Sequence, residues 1–280
     1  MQPLKSKPLS QYTKNIGLET TCPRSIYSDL VAGCPAKKAK NPCIYCFNEI
    51  LEKKFNFTRS FEQGFKLKSL KEWLTTKRGR LGKLLEEIKV VRINANTDFY
   101  PELDQTYADQ IAQFTKQDIK VIAITKQPLT KIPKTMEAIK TNGGIMQATL
   151  NFLESNLFEP YWQNIEERKE AIAKYQQIMP NNLVLRIAPI IIGISKPKAI
   201  VNWYKSVGGK RVIIHFLRKT TPKLKEIICK LNGKLPTIKE EFYTKEEMRP
   251  IIKELDGVEL SICAEYELNK KYGRPNCCFI

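Results

Sequence analysis

The chain has 280 residues, 47 Lys and Arg against 29 Asp and Glu, a formal net charge of +18 and eight cysteines. That length fits one large domain, an α/β barrel included, or two small ones, and it is enough to bury a real core. No apolar run reaches the roughly eighteen residues of a membrane span, and the polar start MQPLKSKPLSQYTK lacks the apolar stretch of a signal peptide, so a cytoplasmic protein with reduced thiols and no membrane partner is expected.

A first strand is expected within SIYSDLVA (25–32), followed by a loop, AGCPAKKAKNPCIYCF, that carries Cys34, Cys43 and Cys46. VVRINAN (90–96) reads as a buried strand, YADQIAQFTKQ (107–117) as a helix and KVIAIT (120–125) as the next strand. A helix is expected from Pro133 to Asn142 and a strand over GIMQATLNF (144–152). NIEERKEAIAKYQQIM (164–179) reads as a helix, with acids in the first turn where the helix dipole favours them. LVLRIAPIII (183–192), PKAIVNWYKSV (197–207) and RVIIHFL (211–217) read as strand, helix and strand. Short β-rich runs separated by helical patterns predict βα units on a parallel sheet. The expected fold is α/β, a partial (β/α)6 TIM-like barrel over residues 1–235. From about Pro236 the rhythm is not expected to continue, and residues 236–280 read as a C-terminal extension carrying Cys263, Cys277 and Cys278. Cys229, in KLKEIICKL, has apolar helical neighbours and reads as core.

Clustered cysteines in a reducing compartment more often bind metal or do chemistry than form disulfides. A loop that follows a barrel strand lies on the C-terminal face, where active sites gather. Eight residues separate Cys34 from Cys43, and two separate Cys43 from Cys46. Spacing alone leaves two readings open. Three thiolates can hold three irons of a [4Fe–4S] cluster and leave the fourth iron to a small molecule. A structural zinc wants four ligands. It would have to recruit Cys22 or a tail cysteine, because the single histidine, His215, lies far along the chain in a strand and reads as core. Charge points to a partner as well. Residues 35 to 92 hold fifteen Lys and Arg against six Asp and Glu, densest in KKAK (37–40) and TTKRGRLGK (75–83). Such a surface attracts phosphates and releases counterions from nucleic acid. The same composition also describes a plain solvated surface.

Five pieces stand in one order on the βα rhythm: AGCP with NPCIYCF in the loop, NTDFYPELD (96–104), ITKQ (124–127), TLNFLESNLFEPYWQNIEERKEAI (149–172) and LRIAPIIIGI (185–194). Over about residues 25 to 217 they resemble the radical S-adenosylmethionine superfamily, and within it the spore photoproduct lyase-like branch. The loop is similar to the family's cluster loop, with Tyr45 in the aromatic place. Lys126 matches the family's TK at the end of strand three, and Glu159, Pro160 and Arg168 its Glu-Pro and later Arg. Two features depart from the pattern. The family loop has three residues between its first two cysteines, and the longer one here includes Lys37, Lys38 and Lys40. Photoproduct lyases also carry a hydrogen-donating cysteine shortly before the aspartate, where this chain has Ala95, Asn96 and Thr97 ahead of Asp98. This departure weighs against repair of thymine photoproducts.

The resemblance implies a radical enzyme. Cys34, Cys43 and Cys46 would hold a [4Fe–4S] cluster whose open iron chelates S-adenosylmethionine. An electron donor such as flavodoxin or ferredoxin would reduce it, and cleavage would yield a 5′-deoxyadenosyl radical that abstracts hydrogen from a nucleic-acid or nucleotide substrate. Tyr45 is a candidate for the cofactor side, Asp98 for the substrate or cofactor side, and Lys126 for the methionine carboxylate. Thr149 and Asn151, alternating on strand four, are candidates for the ribose. Arg186 is a charge inside an apolar strand and needs a partner, which a cofactor carboxylate or Glu154 would supply. Glu159 and Arg168 are expected to pair and fix the strand-four loop. Cys277 and Cys278 are candidate hydrogen donors in place of the missing cysteine, or, with Cys263, ligands of a second cluster. The alternative from another class is a non-catalytic nucleic-acid-binding protein with a structural zinc.

Overall fold

The computed structural model describes residues 27–28, 34–46, 89–94, 97–218, 220–236, 243–263, 268, 271–272 and 279. Cys22, Cys277, Cys278, Ala95, Asn96 and the basic stretch 75–83 lie outside the described residues. In chain order the elements are β1 (Tyr27–Ser28), α1 (Pro35–Lys38), β2 (Val90–Ile93), α2 (Asp104–Thr115), β3 (Lys120–Thr125), α3 (Pro133–Asn142) and β4 (Ile145–Thr149). There follow α4 (Ile165–Ile178), β5 (Leu183–Ile190), α5 (Pro197–Ser206), β6 (Arg211–Phe216), α6 (Pro222–Lys230), α7 (Lys245–Lys253) and β7 (Glu259–Ile262). The strands form one seven-stranded sheet in the order β1 to β7, and every neighbouring pair is parallel. The α/β expectation holds in this form.

The strands form because they are apolar nearly throughout, the mark of a parallel sheet covered on its faces. The β2 and β4 residues are buried without exception. Local signals set the helix limits. Pro133 opens α3, and Gly143, in the left-handed region at φ 64°, closes it. Glu166 and Glu167 occupy the first turn of α4. On one face of the sheet Val91, Val121, Met146, Leu185 and Val212 pack in one core with residues of the helices, among them Ile111, Met136, Ile172 and Val201. Alternation sends their neighbours to the other face. There Arg92 stands opposite Ile122, Thr149 opposite Arg186, Arg186 opposite Ile213, and Ile213 opposite Ser261.

Two expectations need correction. The rhythm does continue past Pro236: β7 pairs with β6, and Met248, Ile252, Leu260 and Ile262 join the same core as the preceding units. The α7 helix starts on a capping box, in which Thr244 accepts from Glu247 N and the Glu247 carboxylate accepts from Thr244 N. Cys229 lies on α6 but is exposed, because the apolar stripe of that helix runs through Leu224 and Ile228 instead. Strands also end earlier than their apolar runs. After β2, Asn94 turns the chain at φ 53°, and β4 stops at Thr149. Among the described residues no helix is long and apolar enough to cross a membrane.

Candidate functional site

The C-terminal ends of β2, β3, β4 and β5 meet the cysteine loop. Cys34 has extended backbone and precedes Pro35, the first residue of α1, and its carbonyl accepts from Lys38 N at 2.9 Å. Cys46 N donates to Cys43 O at 3.0 Å, so one turn presents both cysteines. Between them, Ile44 N donates to Phe158 O at 3.0 Å and pins the loop to the β4–α4 connection. Tyr45 is buried there. Its hydroxyl donates to Glu159 and accepts from Asn151 Nδ2, the latter at 2.8 Å.

Glu159, fully buried, gathers the site. Its carboxylate accepts from Asn151 Nδ2 at 2.7 Å, lies 3.4 Å from Arg168 Nη1 and 3.9 Å from Lys126 Nζ. The expected Glu159–Arg168 pair is therefore present. Arg168 also donates to the carbonyls of Thr149 and Trp162. A carboxylate and a guanidinium this far from water are tolerable only with such complete pairing.

Asp98 ties β2 to β3. It accepts from Phe99 N at 2.8 Å, Thr125 Oγ1 at 2.5 Å and Lys126 N at 2.9 Å. Burial raises its carboxyl above the usual range, although these hydrogen bonds pull the other way. Lys126 follows the last residue of β3, with its Nζ 5.5 Å from the centre of the Tyr45 ring. Burial lowers its ammonium, but the charges of Cys43, Glu159 and Asp98 outweigh that and hold it above its usual value. The thiols lie in the same field. Burial, with Asp98 next, pushes Cys34 up to about 11. Burial pushes Cys43 up to about 12, against the pull of Lys126. Cys34 feels Cys46, and Cys43 feels both of the others. Without a metal Cys34 and Cys43 are neutral at pH 7, and a bound metal would have to displace their protons. Among the described residues no three His, Cys, Asp or Glu side chains gather around one ion position. By chemistry the donor set fits a group held by soft thiolates, such as iron–sulfur or zinc.

The structure brings together Cys34, Cys43, Cys46, Tyr45, Asp98, Lys126 and Asn151, and gives some of them work within the chain. Asn151 accepts from Ala188 N at 2.6 Å and donates to Ala188 O at 2.8 Å. With Tyr45 and Glu159 also on its amide, Asn151 clamps β4 to β5, which leaves one lone pair of its Oδ1 for a ligand. Arg186 finds not Glu154, which is exposed, but Gln147 Oε1 at 3.1 Å. Cys263 is buried at the end of β7, the other extreme of the strand order from β1. Phe279 packs on the guanidinium of Arg211, at the start of β6. His215 is half-buried in β6. Sequence reasoning missed Gln147, whose signal was available as a polar residue inside the apolar run IMQAT. It also gave Glu159 one partner where the structure gives four.

A scan against protein-family models finds no match to this chain, and a search of curated proteins finds none.

Proposed function

We propose that the chain is a radical S-adenosylmethionine enzyme on a partial (β/α) barrel, with the cysteine loop and the strand ends forming its cofactor site. The observation that carries this reading is the docking of the cysteine turn, through Ile44 and Tyr45, onto the Glu159–Asn151–Lys126 cluster at the strand ends. The all-parallel sheet in chain order suits a barrel. In this reading Cys34, Cys43 and Cys46 supply three thiolates to a [4Fe–4S] cluster. With a reductant such as flavodoxin or ferredoxin, a cluster held there would supply radical chemistry on S-adenosylmethionine.

The chain's own contribution is position and charge. Lys126, held by Glu159 and the Tyr45 ring, offers an ammonium to the methionine carboxylate. Asp98 fixes the backbone of Lys126, so that the cation stands at a set height above β3. Thr149 and Arg186 flank the same strand ends. Glu159 keeps the cysteine turn against β4 through Tyr45.

Anaerobic reconstitution tests the reading. Iron and sulfide should load together, and the reduced protein should release 5′-deoxyadenosine and methionine from S-adenosylmethionine. Cys34→Ala, Cys43→Ala and Cys46→Ala should each lose most of the iron, since two thiolates do not hold the cluster. Stoichiometric zinc without iron would replace this reading with the structural-zinc, nucleic-acid-binding one.

A further inference from the structure

The face of the sheet turned away from the helices carries a second polar group of residues. Thr149 on β4 stands opposite Arg186 on β5, and residues opposite each other in register point to the same side. Gln147 lies two residues earlier on β4, on that same face. Arg186 Nη1 donates to Gln147 Oε1 at 3.1 Å. Only the amide oxygen can accept from a guanidinium, so this bond fixes which way the amide points. Gln147 is 0% exposed, and its Nε2 has no hydrogen-bond partner among the described residues. A buried donor without a partner is costly to fold and calls for an acceptor.

Arg186 makes the same demand in charge. It is half-buried, its bond to Gln147 uses one N–H of the five a guanidinium has, and it meets no carboxylate among the described residues. Lys126 differs, since it has Glu159 at 3.9 Å and the Tyr45 ring beside it. Arg186 has neither contact. The two cations therefore face different things: Lys126 the cysteine loop, Arg186 the buried polar face of the sheet around Gln147 and Thr149.

The missing acceptor is an anion. The remaining guanidinium N–H groups, the free amide N–H of Gln147 and the Thr149 hydroxyl are donors of three geometries. A carboxylate meets a guanidinium fork with two oxygens in one plane, whereas a phosphate monoester presents three oxygens in three directions and can reach all three donors at once. The net charge of +18 favours an anionic ligand on the same grounds. We propose that Arg186, Gln147 and Thr149 form a phosphate subsite that takes the phosphate group of a phosphate-ester substrate. Its role as substrate subsite rests on the radical-enzyme reading above; phosphate binding by itself does not.

The test uses the full metal-free chain and titration calorimetry, so it is independent of iron loading. Inorganic phosphate and adenosine 5′-monophosphate should bind and compete with each other, while adenosine and acetate should not. Arg186→Met should weaken phosphate by about tenfold or more, the scale of a lost charge-assisted contact. Gln147→Met removes the orphan donor at similar volume, so it should fold at least as stably and still weaken phosphate by roughly threefold to tenfold. Several results would overturn the proposal. No phosphate binding by the parent would do so, and so would acetate binding as well as phosphate. A Gln147→Met variant that gains stability with unchanged phosphate affinity would make the amide merely structural. Arg186→Met that loses S-adenosylmethionine but keeps phosphate would return Arg186 to the cofactor side. Failure to form 5′-deoxyadenosine, by contrast, would sink the radical reading and leave the phosphate subsite standing.

Discussion

Glu159 holds Tyr45, Lys126, Asn151 and Arg168 through one carboxylate. Glu159→Leu would leave the Arg168 guanidinium, only 1% exposed, without its charge partner. The expected cost is about 3–5 kcal/mol, read by urea unfolding. Tyr45→Phe deletes one hydroxyl of the same network and should cost about 1–2 kcal/mol. If Tyr45→Phe proves the costlier, the carboxylate is not the hub. The thiols give a pH prediction. A raised thiol value means less thiolate at a given pH, so in the reduced, metal-free protein Cys34 and Cys43 should be nearly inert to iodoacetamide at pH 8. Their labelling, read by peptide mass, should climb as pH rises toward about 11 for Cys34 and about 12 for Cys43, after the exposed Cys229 has reacted. Rapid labelling of Cys43 at pH 7 would show that burial does not govern it. Much of this site was legible as residue types. Lys126, after KVIAIT, reads as a polar residue where a buried strand ends, and Asn151 as a polar residue alternating with Thr149 within one. Their partners were not legible, because Tyr45 meets Glu159 and Asn151 across more than a hundred residues, and one-dimensional pattern carries no information on such pairings.

At the scale of elements, the α3–β4 joint shows how closely the units are fitted. A Cβ on Gly144 would stand 2.2 Å from Val121 O, a backbone atom held in β3. Neither side can yield without moving a strand. Gly144→Ala should therefore destabilise by about 1–3 kcal/mol, as overpacking does, visible as a lowered Tm. An unchanged Tm would mean that the joint has slack. The units on either side were readable in the sequence because each repeats one signal, an apolar run and then an amphipathic stretch. The α3 limits, Pro133 and Asn142, are those the sequence indicates, because Pro and Gly punctuate that helix at both ends. The α7–β7 unit was hidden for the opposite reason. Pro250 sits inside its helix, and its strand is four residues with a charged first position. The proline reads as a helix breaker, and four residues are too few to show a strand's alternation. What fixes this unit is tertiary: pairing with β6 and burial of Met248 and Ile252.

For the whole molecule, the question is whether residues beyond 236 are an appendage. The described part of that stretch buries Tyr243, Met248, Ile252, Leu255, Leu260 and Ile262 in the common core. Tyr243 also reaches across to the β5 end, where Ile192 N donates to its hydroxyl, and its ring meets Phe216 edge-on with centroids 6.3 Å apart. Each such side chain contributes about 1.5–3 kcal/mol when fully buried. Six together rival the roughly 5–15 kcal/mol by which a whole domain is stable. Removing them would also leave β6 as an edge strand, with its unpaired backbone groups open to other chains. A chain ended at Pro236 should therefore fail to unfold cooperatively in urea and should aggregate, while the full chain gives a single transition. Cooperative unfolding of the shortened chain, with iron loading equal to the parent's, would make the last strand dispensable and restore the reading of this stretch as an extension on a six-stranded partial barrel.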